Sequence, residues 1–230
     1  MRTKNYTPCY IAFLDILGFK EKIKHSTCKE MLAVFDNMKN SITAGYIGDE
    51  NGKAAAISAF KKIRTKVMSD SICFYIEQSV PDALFALVAC CSFFQCKLLK
   101  MDSPLLVRGG IVAGELYANG DKTFGTGLTD AYLLEEKSAN LPRIIMTSKT
   151  LELGKSNVSR PILAKRIEEM LYSDFDEFLV VNYYKTLKNI FANDNNSVDK
   201  ILEYIDEKLS DERECSIREK YLYVKRTLLA

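Results

Sequence analysis

Two aspartates occupy positions where a carboxylate can do chemistry. Asp15 closes the apolar run Cys9 to Leu14 and is followed closely by Gly18. A short apolar run that stops at an acid predicts a buried strand delivering that acid to its C-terminal end. Asp70 sits beside Ser69 between two strand-like stretches, Ile63 to Val67 and Ile72 to Ile76, which reads as a hairpin with a carboxylate at its tip. In a ferredoxin-like sheet the first strand and the central hairpin are neighbours, so the two carboxylates can converge. Paired hard oxygen ligands suit magnesium or manganese held together with substrate phosphates. Taken singly, each aspartate has a plainer reading, Asp15 as a helix cap and Asp70 as a turn residue. Their combination is what points to a metal.

The remaining composition narrows the alternatives. A single histidine, His25, makes a histidine-based triad or a histidine-rich zinc site a poor expectation. The seven cysteines are odd in number, form no CxxC and fall mostly in apolar stretches, as expected of reduced, buried thiols in a cytoplasmic protein. With 32 basic and 30 acidic residues, bulk charge gives no support to nucleic acid as a partner. No apolar run approaches the roughly 20 residues of a membrane span, so no direct membrane insertion is expected.

The elements that must position the aspartates follow from periodicity. Lys20 to Ala44 has helical spacing, with Met31, Leu32, Phe35 and Met38 on one face. After the hairpin, Pro81 and Asp82 open a long apolar helix through about Met101. Leu105 to Val112 is strand-like and broken by Gly109 and Gly110; the loop Asn119 to Gly127 leads into a helix through about Ser138; Ile144 to Met146 is a further strand and Ser148 caps a short helix. This order predicts an α+β, ferredoxin-like fold with helices on one face of an antiparallel sheet. The core is expected over residues 1–155 and a charged C-terminal α/β extension packed on it over 156–230. That extension holds a candidate element at Glu177 to Tyr183, a polar linker at Asn193 to Asn196, and candidate helices at Val198 to Leu209 and Ile217 to Leu229.

The blocks FLDILGF, SDS, VRGGIVAGELY, FGTGLTDAYLLE and PRIIMTS occur in the order and context of class III nucleotidyl cyclase catalytic domains, which the chain resembles over roughly residues 8–155. The resemblance implies that Asp15, the carbonyl of Ile16 and Asp70 bind metal, two Mg2+ or Mn2+ ions per site, with Gly18 and Phe19 against the substrate. It further implies a nucleoside triphosphate substrate and a homodimer with shared sites, one subunit giving Asp15 and Asp70 and the other the helix from Thr126 to Leu134. The family's usual asparagine and arginine on that helix correspond here to Thr129 and Leu133. Another cation must then meet the phosphate charge, and Arg108, Arg143 and Lys122 are the candidates. For Arg108 and Arg143 an ion pair is the plainer reading, and for Lys122 a solvated loop charge.

The variants RGG, AYLLE and PRI, and the basic-aromatic end KYLYVKRTLLA, resemble the pyrimidine cyclases of Pycsar antiphage systems, which make cyclic UMP or cyclic CMP for a separately encoded effector. The resemblance favours UTP over CTP. Lys66 aligns with a base-reading lysine of purine cyclases, and Thr65, Arg64 and the loop around Tyr46 are further base-reading candidates. Two alternatives stay open: an adenylyl cyclase with altered catalytic residues, and a cyclase-like module that binds nucleotide without turning it over. Gly125 and Gly127 stand before a helix and could cradle phosphate or simply make a tight turn.

Overall fold

The computed structural model describes residues 5–32, 36, 58–190 and 197–229. Strand β1 (Thr7–Leu17) lies at the centre of the molecule, because its alternate side chains are apolar on both sides: Tyr10, Ala12, Leu14 and Ile16 face one core, and Cys9, Ile11 and Phe13 face another. It pairs antiparallel with β3 (Ser71–Glu77) on one side and with β4 (Leu106–Asn119) on the other. β2 (Arg64–Met68) completes the hairpin with β3. The order β2-β3-β1-β4 is that of a ferredoxin-like core.

The sheet then continues without a break through β6 (Ile144–Met146), β8 (Leu179–Val181) and β7 (Leu171–Ser173), while β5 (Lys122–Phe124) folds back on β4. β6 runs parallel to β4 and antiparallel to β8, so the extension joins the sheet of the core.

On one face lies α2 (Ala83–Leu99), in which all but Lys97 are buried. Such a helix must be covered all round. The sheet covers it on one side, and α4 (Ser148–Lys155), α5 (Pro161–Glu169) and α6 (Tyr183–Ile190) pack against the rest. α7 (Ser197–Asp211) and α8 (Cys215–Leu229) pair with each other and share a second cluster with Cys96, Leu99 and Leu106. The opposite face of the sheet carries α3 (Thr126–Ser138), so helices cover both faces where one was expected.

Four elements differ from their sequence expectations, the first being α4, which is capped by Thr147, its hydroxyl accepting from the Thr150 N–H, with Ser148 as the first helical residue. The helix expected from Lys20 ends early: α1 spans Phe19–Lys24, and a new helical stretch begins after Thr27. Thr27 and Glu30 form a reciprocal capping box, with the Thr27 N–H donating to Glu30 Oε2 at 2.6 Å and the Glu30 N–H to Thr27 Oγ1 at 3.3 Å, so this segment starts a helix of its own. Phe35, Met38 and Ala44 of that expectation, and the Asn193 to Asn196 linker, lie outside the described residues. β4 runs straight through Gly109 and Gly110, since a strand tolerates glycine where another backbone comes close. The extension also contains α5, α6 and β7, which short-range periodicity does not reveal. Among the described residues no helix is long and apolar enough to cross a membrane, and all seven cysteines are free.

Candidate active site

Asp15 and Asp70 meet at one end of the sheet. Asp15 is two residues from the end of β1 and pairs with Ser71, the residue after Asp70. The Ile16 N–H donates to the Asp70 carbonyl at 3.0 Å, which fastens the β2–β3 turn to β1. In an extended strand a residue's N–H and C=O point to the same edge, so the Ile16 carbonyl also faces the Asp70 turn. Ser69 holds a left-handed φ of 59° in that turn, which lets it close in two residues.

β1 leads directly into α1 through Gly18, whose φ of 76° places it in the left-handed region. Only glycine takes that conformation without strain, and the added bend carries the chain away from Asp15 within a few residues. Phe19 is 3% exposed and belongs to the main core, so its side chain anchors the start of α1.

The face of β4 beneath α3 is built from Arg108, Gly110, Val112 and Gly114, alternate residues of one strand. α3 can lie close because the strand is almost bare there. A Cβ on Gly114 would stand 2.5 Å from the Gly127 Cα, and one on Gly110 would stand 2.8 Å from the Ala131 carbonyl oxygen. Along α3 the buried residues Gly127, Ala131 and Glu135 recur every four positions, so a carboxylate follows two small residues along the buried stripe. Gly127 is therefore a packing residue, and Gly125, just before it, makes the turn with a φ of 154°.

Glu135 is the residue beside the candidate site that sequence reasoning missed. It is 3% exposed and its Oε1 lies 2.7 Å from Arg108 Nε, off the N–H direction and without a well-directed hydrogen bond. The same Nε donates to Asp15 Oδ2 at 3.2 Å. Burial pushes the Glu135 carboxyl up to about 7; Arg108 opposes the rise, while Asp15, Glu136 and Asp70 add to it. Arg108 thus lies beside Asp15 and is shared between two carboxylates, those of Asp15 and Glu135. The only hint in the sequence was the four-residue spacing from Gly127.

Arg143 is placed elsewhere. Its side chain is 2% exposed and is held by Asp174, at 2.6 Å from NH1, and by Asp176, both in the β7–β8 turn, with the Phe175 ring 5.0 Å away. Tyr223 of α8 donates to the same Asp174 at 2.8 Å, so the arginine joins core to extension. Its backbone continues the β4–β6 pairing: the Gly109 N–H donates to the Arg143 carbonyl at 3.0 Å.

Lys66 donates from Nζ to the Gly120 carbonyl at 2.5 Å, bridging β2 to the β4–β5 turn. Thr129 is exposed on α3 and its hydroxyl bonds back to the Gly125 carbonyl at 3.3 Å. Lys122 and Arg64 are exposed, Thr65 is half-buried, and the Tyr46 loop lies outside the described residues.

No family model matches the chain, and no curated relative is found. Among solved structures, the guanylate cyclase domain of RhGC from Catenaria anguillulae in complex with GTP matches with a TM-score of 0.50 at 15% identity, covering 77% of this chain and 96% of that one. The fold is that of a class III nucleotidyl cyclase catalytic domain. The monomeric guanylyl cyclase domain of the RhoGC fusion protein from the aquatic fungus Blastocladiella emersonii matches with a TM-score of 0.49 at 17% identity, covering 66% and 88% of the two chains. A bacterial light-regulated adenylyl cyclase matches with a TM-score of 0.49 at 15% identity, covering 83% and 99%.

The donor set suits a hard divalent cation. Among the described residues no group of three or more His, Cys, Asp and Glu side chains stands close enough to hold a metal. Asp15, Asp70 and the Ile16 carbonyl together offer two carboxylates and a backbone carbonyl, a set that would leave coordination positions for water and phosphate oxygens, as magnesium prefers.

Proposed function

We propose that this chain is a divalent-metal-dependent nucleotidyl cyclase that converts a pyrimidine nucleoside triphosphate, UTP in preference to CTP, to the 3',5'-cyclic nucleotide and diphosphate. The observation that carries the reading is the meeting of Asp15, the Ile16 carbonyl and Asp70 at one end of a class III fold. These three groups would hold Mg2+ or Mn2+. When bound, the ions supply acidification of the ribose 3'-hydroxyl and neutralisation of the triphosphate. The chain itself orients an intramolecular in-line attack on the α-phosphorus, from which diphosphate leaves. Arg108 beside Asp15 is the cation for the phosphate charge, in place of the family arginine that Leu133 replaces. Arg143 is not assigned to the chemistry, because its donors serve the extension.

The pyrimidine assignment rests on the RGG, AYLLE and PRI blocks, and with it the role of the product as a messenger to a separately encoded antiphage effector. In the fold those blocks are neighbours: Arg108 meets Glu135, Gly110 lies under Ala131, and Gly109 bonds the Arg143 carbonyl. The shared-site homodimer is supported by the α3 face, where Thr129 is exposed and Tyr132 is 41% exposed against the edge of Phe13. Phe124 and Tyr6, 48% and 52% exposed, pair edge-to-face beside it.

The test is incubation of the purified full chain with each of ATP, GTP, UTP and CTP in Mn2+ or Mg2+, reading products by mass. Cyclic UMP above the other three is the expected result, abolished by Asp15→Ala and Asp70→Ala. Product from ATP alone would replace the pyrimidine reading with an adenylyl cyclase. No product from any nucleotide, with binding retained, would leave a nucleotide-binding module.

A further inference from the structure

We propose that Glu135 is a positioning residue for the metal site: from the buried side of α3 it shares Arg108 with Asp15, so that a divalent cation can take the Asp15 carboxylate while the guanidinium keeps an anion. The inference rests on the cyclase reading, since it presumes that Asp15 is a metal ligand.

A guanidinium beside a metal-binding carboxylate competes for it. Arg108 Nε stands between two acids: it donates its N–H to Asp15 at 3.2 Å, and it lies 2.7 Å from Glu135 in an ion pair without a directed hydrogen bond. The Arg108 side chain is only 25% exposed, so water meets little of its charge. If Asp15 were its one close anion, cation binding would leave a largely buried guanidinium unpaired, which is strongly unfavourable. Glu135 removes that conflict. When Asp15 turns to a metal ion, Arg108 keeps a carboxylate on its helix side and stays beside the cleft, where its remaining N–H groups can meet phosphate.

Glu135 is not a third ligand, because no trio of acidic side chains gathers at the site among the described residues. Nor is it a solvated helix charge, because its side chain is 4% exposed. Its position is fixed by the glycine contacts that bring α3 down onto β4, Gly114 against Gly127 and Gly110 against Ala131. The close approach of helix to strand and the placement of this acid are one feature. Its Oε1 lacks a well-directed hydrogen bond, so the contact is held by charge and can adjust when Asp15 changes partner.

The test measures binding of Mn2+ alone to the full chain at about pH 8, above the value of about 7 to which Glu135 is raised. Free Mn2+ is read by its electron paramagnetic resonance signal. Glu135→Gln keeps the shape and removes the charge, and is expected to weaken Mn2+ binding by about tenfold or more, because Arg108 turns fully to Asp15. Adding Arg108→Ala to Glu135→Gln is expected to restore affinity to within about threefold of wild type. A merely structural role for Glu135 would not be rescued by removing the arginine, and unchanged thermal midpoints show that the variants fold. Wild-type affinity in Glu135→Gln overturns the inference while leaving the metal site standing, as does failure of the double variant to recover. No Mn2+ binding by the wild type overturns the metal-site reading and this inference with it.

Discussion

Truncating Arg143 to alanine separates a structural role from the catalytic one that its place in the PRI block suggested. The side chain is 2% exposed, and its partners Asp174 and Asp176 are 14% and 27% exposed. Removing one member of a buried ion pair costs about 3–5 kcal/mol, because the remaining charges lose their partner out of water. Partial solvation of both aspartates brings the figure to the lower end, about 3 kcal/mol, and loss of the contact with Phe175 adds about 0.5–1 kcal/mol. A total of about 3–4 kcal/mol in a chain of this size lowers the thermal midpoint by about 6–16 °C.

The pH dependence of that loss has a definite sign. Hydrogen bonding to Arg143, with its charge, holds the Asp176 carboxyl below its ordinary range. A carboxylate depressed in the folded state contributes stability above its unfolded pKa, about 3.9, and loses it as pH falls through the folded value. The gap between wild type and Arg143→Ala in urea denaturation should therefore be widest near neutrality and narrow below about pH 4. An Arg143→Ala chain with the wild-type urea midpoint but no cyclase turnover would refute this reasoning and return the arginine to the chemistry.

Two further outcomes test the scaffold. Gly114→Val puts a side chain where the Gly127 backbone already stands 2.5 Å from an added Cβ, and overpacking of this kind costs about 1–3 kcal/mol, read as a lower midpoint in chemical denaturation. Asp82, at 2% exposure, accepts 2.7 Å hydrogen bonds from both the N–H and the hydroxyl of Ser159; Asp82→Ala should cost about 1–3 kcal/mol by calorimetry, and Asp82→Asn less, since asparagine tolerates the φ of 64°.

What the sequence disclosed was local. An apolar run ending in Asp15, and a turn residue at Asp70 between alternating stretches, each carry their meaning within a few positions, and both aspartates lie where that pattern puts them. The ferredoxin-like order followed from the same local signals. Arg143 stayed between a catalytic and an ion-pair reading because its partners lie 31 and 33 residues downstream in a turn that periodicity cannot connect to it. Glu135 was passed over because Glu135, Glu136 and Lys137 together look like the wet end of a helix, and only the stripe through Gly127 and Ala131 turns the first of them inward. The break after His25 was visible in principle, since Thr27 and Glu30 have capping-box spacing, but helical periodicity on both sides concealed it.

The unbroken sheet from β2 to β7 makes the extension part of the core's architecture in a way that a linker-joined module is not. β6 contributes three fully buried residues, Ile144, Ile145 and Met146, and one of its edges is completed only by β8 of the extension. A chain ending near residue 155 would present that hydrophobic edge to solvent, where unpaired backbone groups recruit a second strand from any chain that offers one. Single residues of the extension can therefore change with little effect on the sheet, whereas removing it whole uncovers an edge of β6, the strand that lies beside β4 and so beside Arg108.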